Sequence, residues 1–311
     1  MHVIENILPI FIFLIMGYSI RIKKIVSETT IEELKKFIIH FPLPSLLFIA
    51  FLDMQIKAEY WMIVLTIFLV NLVMLFLGKT LYPYFGIEDP YCPLLFTGFE
   101  VGMLGIPLFG AIYGLDNIKY FALLDLGQEL YVWFVLMAIL YYLNQKTANY
   151  CWLIKRFFSS PIIIAIIAGL FINVAGLKVI IVKNFFLKGF LETLGLLSNV
   201  TIPLILIIIG YEMKLSLNSF IVPLKIIALR TIFLLFIAVI ISRFLFHSQL
   251  KLDPIYHVAL YSLFILPPPF VIPLFIPKER IQPYVLNTLS LGTVITIIIF
   301  TIISVYFQTI L

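Results

Sequence analysis

Few residues in this chain could do chemistry, and those that could stand in apolar surroundings. Glu100 lies within GFEVGMLGIPLF, Gly98 to Phe109. Asp125 and Glu129 are four residues apart in LDLGQELYVWFVL, one helical turn from each other and on one face. Arg230 sits in the middle of an apolar run, with Lys225 nearer its end. Asn71 holds the corresponding place in an earlier run. Charges at membrane depth are tolerated where they pair or face a water-filled cavity, and they mark solute and ion pathways. Arg230 therefore needs a partner, and Glu129 and Glu100 are the expected ones. Glu100 and the Asp125–Glu129 pair are the candidate substrate or coupling groups.

No other constellation competes. The four histidines, His2, His40, His247 and His257, are scattered, and Cys92 and Cys151 have no histidine at ligand spacing. The expectation is no metal site, no disulfide framework and no cofactor. A serine near a His or Lys and a protease-type acid pair are lacking too, which argues against an intramembrane enzyme. There is no G-x-x-x-x-G-K-[ST] phosphate loop, so the chain alone is not expected to drive transport with ATP.

The elements that must position these groups are membrane spans. Of the 311 residues, 63% are hydrophobic and 12% charged, and the mean hydropathy is +1.14. Repeated apolar runs near the ~20 residues that cross a bilayer predict an all-α polytopic membrane protein. The net charge of +5 then bears on orientation and implies no nucleic-acid partner. Ten spans are expected: 3–20, 37–52, 60–81, 91–113, 120–143, 161–177, 190–211, 220–246, 255–276 and 284–307. The first has basic residues after it (Arg21, Lys23, Lys24) and none before it, so it is expected to be retained, not cleaved as a signal. Ser27, with Thr30 and Glu33, offers helix-start chemistry between the first two spans.

Two spans are badly made as helices. In the fourth, Gly98, Gly102, Gly105 and Pro107 weaken or interrupt the winding. In the ninth, LPPPFVIPLF, Pro267, Pro268, Pro269 and Pro273 do so. GIPLF at 105–109 returns as VIPLF at 271–275. PSLLFIAFLDM at 44–54 matches PLILIIIGYEM at 203–213, pairing Pro44 with Pro203 and Asp53 with Glu212. At the same repeat offset, Asn71 falls on Arg230. Residues 1–148 and 156–311 thus read as two five-helix repeats. An odd number of spans inverts the second repeat relative to the first. Interrupted spans at matching places in inverted repeats point to a secondary-transporter binding site. The bias of Lys and Arg in the short loops puts both termini outside the cell membrane. Asp53 and Glu212 lie at span ends, where interfacial solvation is the simpler expectation.

Four stretches resemble the auxin efflux carrier family, whose prokaryotic members include malate and malonate permeases. EVGMLGIPLFGAIYG (100–114) resembles its fourth span and LDLGQELYVWFVL (124–136) its fifth. LPPPFVIPLFIPKER (266–280) resembles its ninth, and LNTLSLGTVITIIIFTI (286–302) its last. The resemblance implies a scaffold of spans one, two, six and seven, often a homodimer interface. It also implies a moving transport unit whose broken spans four and nine cross at the site. The implied function is secondary transport of a small organic solute, an organic anion such as a dicarboxylate or auxin-like acid. A channel or a non-transporting receptor is the alternative. Glu100 departs from the family pattern, which has Asn seven residues before the Pro. A carboxylate repels an anion unless it is protonated or paired.

Overall fold

The computed structural model describes residues 2–54, 57–144, 150–212, 220–276 and 282–308. Among these residues the chain is all helical, without strands. In chain order the helices are α1 (His2–Ile22), α2 (Glu28–His40), α3 (Pro42–Leu52), α4 (Tyr60–Leu81), α5 (Ile106–Tyr113), α6 (Ile118–Tyr131), α7 (Met137–Leu143), α8 (Tyr150–Phe158), α9 (Pro161–Val174), α10 (Lys178–Lys183), α11 (Phe185–Glu212), α12 (Ile221–Ile240), α13 (Pro254–Phe264), α14 (Ile272–Phe275) and α15 (Pro283–Gln308). Tighter 3₁₀ winding occupies Cys92–Phe96, and wider π winding occupies Val101–Gly105, Val132–Leu136 and Ile241–Gln249.

Seven helical segments among the described residues are long and apolar enough to cross a membrane. An eighth arises if the 63° bend between Cys151–Phe158 and Pro161–Val174 is one broken span. The expected first span is the shorter apolar helix Ile7–Ile22 in that comparison. The expected ninth does not pass because its helices α13 and α14 have only 11 and 4 residues. Large apolar side chains such as Phe76, Phe236 and Ile302 are exposed, as lipid-facing positions in spans are.

The chain forms two compact units. The first comprises 1–58, 102–122 and 154–213; the second comprises 59–101, 123–153 and 214–311. The path crosses from one to the other within the fourth apolar stretch and within α6.

In the first unit, helices approach backbone to backbone over glycine. A Cβ on Gly17 of α1 would lie 1.9 Å from the Ile207 carbonyl oxygen, and one on Gly210 of α11 would lie 2.1 Å from that of Leu14. In lipid, where apolar side chains gain little by leaving the solvent, such small-residue contacts are what hold helices together. Ser27 caps α2, accepting from the Thr30 amide at 3.1 Å. The repeat mates Asp53 and Glu212 each hold a lysine, Lys178 and Lys35 respectively. These are partly exposed pairs of modest worth.

In the second unit, α6 lies on α4 with Gly127 against the Val64 carbonyl, where a Cβ would come within 2.3 Å. This close approach sets the height of Asp125, Gln128 and Glu129 against α4. The core of this unit is aromatic, with Phe96, Phe99, Phe264 and Phe300 almost fully buried.

Candidate functional site at the two chain breaks

All the geometry that follows lies within the second unit. Between the 3₁₀ turn ending at Phe96 and the π winding beginning at Val101, the chain is not helical over Thr97–Glu100. Between α13 and α14 it is not helical over Leu266–Val271, after Ile265 ends α13. The two breaks touch. The Glu100 amide donates to the Pro267 carbonyl at 2.9 Å, and the Phe270 amide donates to Glu100 Oε2 at 2.7 Å. Gly98 has φ +66°, and a Cβ there would lie 2.4 Å from Pro269 Cγ. Only glycine meets both demands without strain.

Broken helices free backbone groups, and each freed group buried away from water must find a partner. Gly98 is held on both sides. Its amide donates to Asn71 Oδ1 at 2.7 Å, while its carbonyl accepts from Arg230 Nη2. Asn71 is itself fixed, since Nδ2 donates to the Ile67 carbonyl one turn back at 2.9 Å. The Phe99 carbonyl accepts from Gln128 Nε2.

On the other break, three successive carbonyls take three different donors. Ile265 accepts from Thr296 Oγ1 of α15 at 2.6 Å, Leu266 from Arg230 Nη1, and Pro267 from the Glu100 amide. The residues Pro267, Pro268 and Pro269 have no amide to satisfy, so this break presents acceptors only.

Arg230 is therefore the bridge between the breaks. It is 2% exposed and donates to one carbonyl on each. Its guanidinium carbon stands 5.1 Å from the centre of the Phe99 ring, a cation–π contact. That ring is stacked on Phe264 at 5.4 Å and 10°. The expectation that Arg230 pairs with Glu129 or Glu100 is thereby corrected. Carbonyls freed at a helix break carry the partial negative charge of a helix C-terminus, and a planar fork of donors serves two of them at once.

The other carboxylates are elsewhere engaged. Glu129 Oε2 accepts from the Trp133 indole at 2.9 Å, and Glu100 accepts from Phe270. Asp125 is 5% exposed, and neither a hydrogen bond nor an ion pair reaches it among the described residues; its Oδ1 is buried and unpartnered. Gln128 Oε1, Arg230 Nε and Ser262 Oγ are also buried without partners. Asp125, Glu129 and Glu100 lie within electrostatic reach of one another. They do not converge on a point that could hold a metal ion, and neither does any other group of three His, Cys, Asp or Glu among the described residues.

The structure narrows the expected first break, which ran over Gly98, Gly102, Gly105 and Pro107, to Gly98 and its neighbours. Gly102, Gly105 and Pro107 do not form it. The chain is already helical by Val101, and Pro107 stands where the wider π winding passes into α5. The break lies upstream, at the residue with positive φ. Pro273 opens α14 and does not interrupt a helix. Thus GIPLF and VIPLF both lie in helical segments that follow a break. Gly102, Gly105 and Pro107 belong to the first unit, where a Cβ on Gly102 would meet only Leu43, at 3.6 Å. Lys278 and Glu279, at the end of the ninth motif, lie outside the described residues.

Gln128 and Thr296 were not singled out from the sequence. Gln128 stands inside the quoted LDLGQEL motif, and its polarity in an apolar span was the available signal. Thr296 gave none, because threonines in apolar helices commonly bond their own preceding turn.

A cavity of about 540 Å³ lies at one end of this unit, lined by Glu88, Asp89, Tyr91, Leu143, Gln282 and Tyr284 among others. Asp89 accepts from the Tyr284 hydroxyl at 2.7 Å and the Tyr91 amide at 3.0 Å. The Tyr91 hydroxyl donates to Asn144 Oδ1 at 2.9 Å, and Asn144 in turn donates to the Phe275 carbonyl. The ends of α7 and α14 and the starts of the fourth stretch and α15 are thus stitched around the cavity by polar side chains.

The sequence pattern of the family described as "Membrane transport protein" matches residues 2–304. The chain belongs to that family, which includes the auxin efflux carriers. The match spans almost the whole chain, both breaks included. No curated protein sequence matches the chain. Members of the membrane transport protein family are transporters and not enzymes, so a membrane-transport role fits the apolar helices. As a membrane transport protein, this chain is a multi-pass membrane protein.

Proposed function

We propose that the chain is a secondary carrier for a small organic acid, a dicarboxylate or auxin-like molecule, bound where the two breaks meet. The observation that carries this reading is the pairing of the breaks: Glu100 amide to Pro267 carbonyl, and Phe270 amide to Glu100 carboxylate. Irregular backbone at membrane depth is tolerated where it is buried in protein or lines a water-filled cavity, and paired broken helices are a recurring form of transporter binding site. The chain would have ten spans, as inverted repeats 1–148 and 156–311, with both termini outside the cell membrane. Spans one, two, six and seven would be the scaffold, paired with a second copy of itself, and the other six the moving part. Asn71 and Arg230, which meet at the repeat offset, clamp opposite sides of Gly98, as expected if the two halves share one ancestral site. The cavity around Asp89 would be the vestibule; its volume falls in the range of small-molecule sites.

A second reading has its own support. Glu100 already occupies the Phe270 amide, three carboxyl groups lie within electrostatic reach of one another, and the forks of Arg230 are taken by carbonyls. Such a site also suits a neutral or cationic solute. Uptake into proteoliposomes holding the purified chain separates the readings. The account expects saturable uptake and counterflow with one member of a panel including malate, malonate and indole-3-acetate. Saturable uptake of amines or neutral solutes alone removes the organic-acid reading. Large unsaturated conductance removes the carrier itself in favour of a channel.

A further inference from the structure

Asp125 is a buried carboxyl group with nothing to hold its charge. It stands 5% exposed on α6, with no hydrogen bond and no ion pair among the described residues. No cation among the described residues bonds it: Arg230 reaches carbonyls, and its Nε is buried without a partner. Both Nη groups of Arg230 go to Gly98 and Leu266 carbonyls. On α4, packed against α6 at Gly127, Asn71 is a buried polar group, and both ends of its amide are engaged. From Pro283 to Gln308, α15 has no charged residue. The only ionisable groups that Asp125 senses electrostatically are other carboxyls: Glu129, one turn along its own helix, and Glu100 on the first break. A carboxylate buried this way is tolerated only if it carries a proton or is matched by a cation. The three carboxyls do not converge as metal ligands do. The carbonyl cluster at the breaks, the other place a cation would be drawn to, is filled by the Arg230 guanidinium.

We infer that Asp125 is the proton-loading group of this carrier, exchanging its proton with Glu129, and that the ion accompanying the solute is therefore a proton. This rests on the carrier reading above. The exchange is balanced: the O–H bond of the Asp125 carboxyl breaks as an O–H bond forms on the Glu129 carboxylate or an intervening water, with no change in oxidation state. Glu129 suits the second role because it is less buried than Asp125 and one turn along the same helix, with its Oε2 held by the Trp133 indole. Gln128, one turn from Asp125 on the same face, has its amide nitrogen pinned to Phe99 and its Oε1 unpartnered. It can accept a hydrogen bond from the acid or from a water beside it.

The test needs no solute, so its failure is distinct from failure of the transport reading. Infrared spectra of the full chain in lipid are recorded at neutral pH. The inference expects a protonated-carboxyl stretch, sensitive to deuteration, that disappears in Asp125→Asn. Loss of that band supports it. A native chain without the band overturns it, and so does a band that Asp125→Asn leaves unchanged. If Asp125→Asn does not fold, the native chain grown with isotope-labelled aspartate serves instead. The band then shifts with the label, and a band that does not shift overturns the inference. Should the band behave as expected while no solute is transported, the carrier reading falls and the protonation of Asp125 stands.

Discussion

The two breaks solve one problem with opposite materials. The first, Thr97–Glu100, is made by a glycine in the left-handed region, and it exposes both amides and carbonyls. Each then needs a side chain of matching sign, which Asn71, Arg230 and Gln128 supply. The second, running from Leu266, is made by three prolines. It has carbonyls to satisfy and few amides, so donors alone serve it: Thr296, Arg230 and the Glu100 backbone. A glycine break is adaptable but depends on its clamps. A proline break is stiff and keeps its shape whatever surrounds it. Arg230 is the one side chain that serves both.

That contrast can be broken at graded cost. Arg230→Leu has the largest expected effect, because it orphans one buried carbonyl on each break. Each buried carbonyl left without its donor costs about 1–3 kcal/mol, seen as a large drop in the thermal midpoint of purified protein. A midpoint within a degree or two of native would mean that water replaces the guanidinium freely.

Gly98→Ala comes next. It places a Cβ 2.4 Å from Pro269 Cγ at φ +66°, with a backbone cost of about 1–2 kcal/mol before any clash. The corresponding substitution in the stiff break, Pro269→Ala, should cost less and should partly rescue Gly98→Ala by removing the ring it strikes. The smallest effect is expected from Thr296→Val, nearly isosteric, which removes one cap from the Ile265 carbonyl at about 1 kcal/mol. If Thr296→Val proves as damaging as Arg230→Leu, the division of labour between the breaks is wrong.

The same contrast explains what could be read from the sequence. The proline break was legible because three consecutive prolines exclude a helix wherever they stand. The glycine break was legible as a region, with Gly98, Gly102 and Gly105 equally able to form it. Gly102 and Gly105 have the same intrinsic freedom as Gly98, and what selects Gly98 is the pair of clamps from α4 and α12, 27 and 132 residues away. Arg230 was recognisable as a buried cation needing a partner. Its partners were not, since backbone carbonyls leave no mark in a sequence. Acids that looked like natural counterions, Glu100 and Glu129, instead bond an amide and an indole. The helical, membrane-spanning class was plain from composition alone, whereas the division into two units depends on contacts that hydropathy does not encode.

The central claim is that the meeting of the breaks is the solute site and that Glu100, which joins them, acts in transport and not only in folding. The most direct test is solute flux as a function of pH in proteoliposomes, comparing native protein with Glu100→Gln. Gln retains an oxygen to accept from the Phe270 amide, so the variant should fold with a near-native thermal midpoint. The account predicts that its flux is abolished or loses its dependence on pH. Native-like flux with unchanged pH dependence in the variant would contradict it.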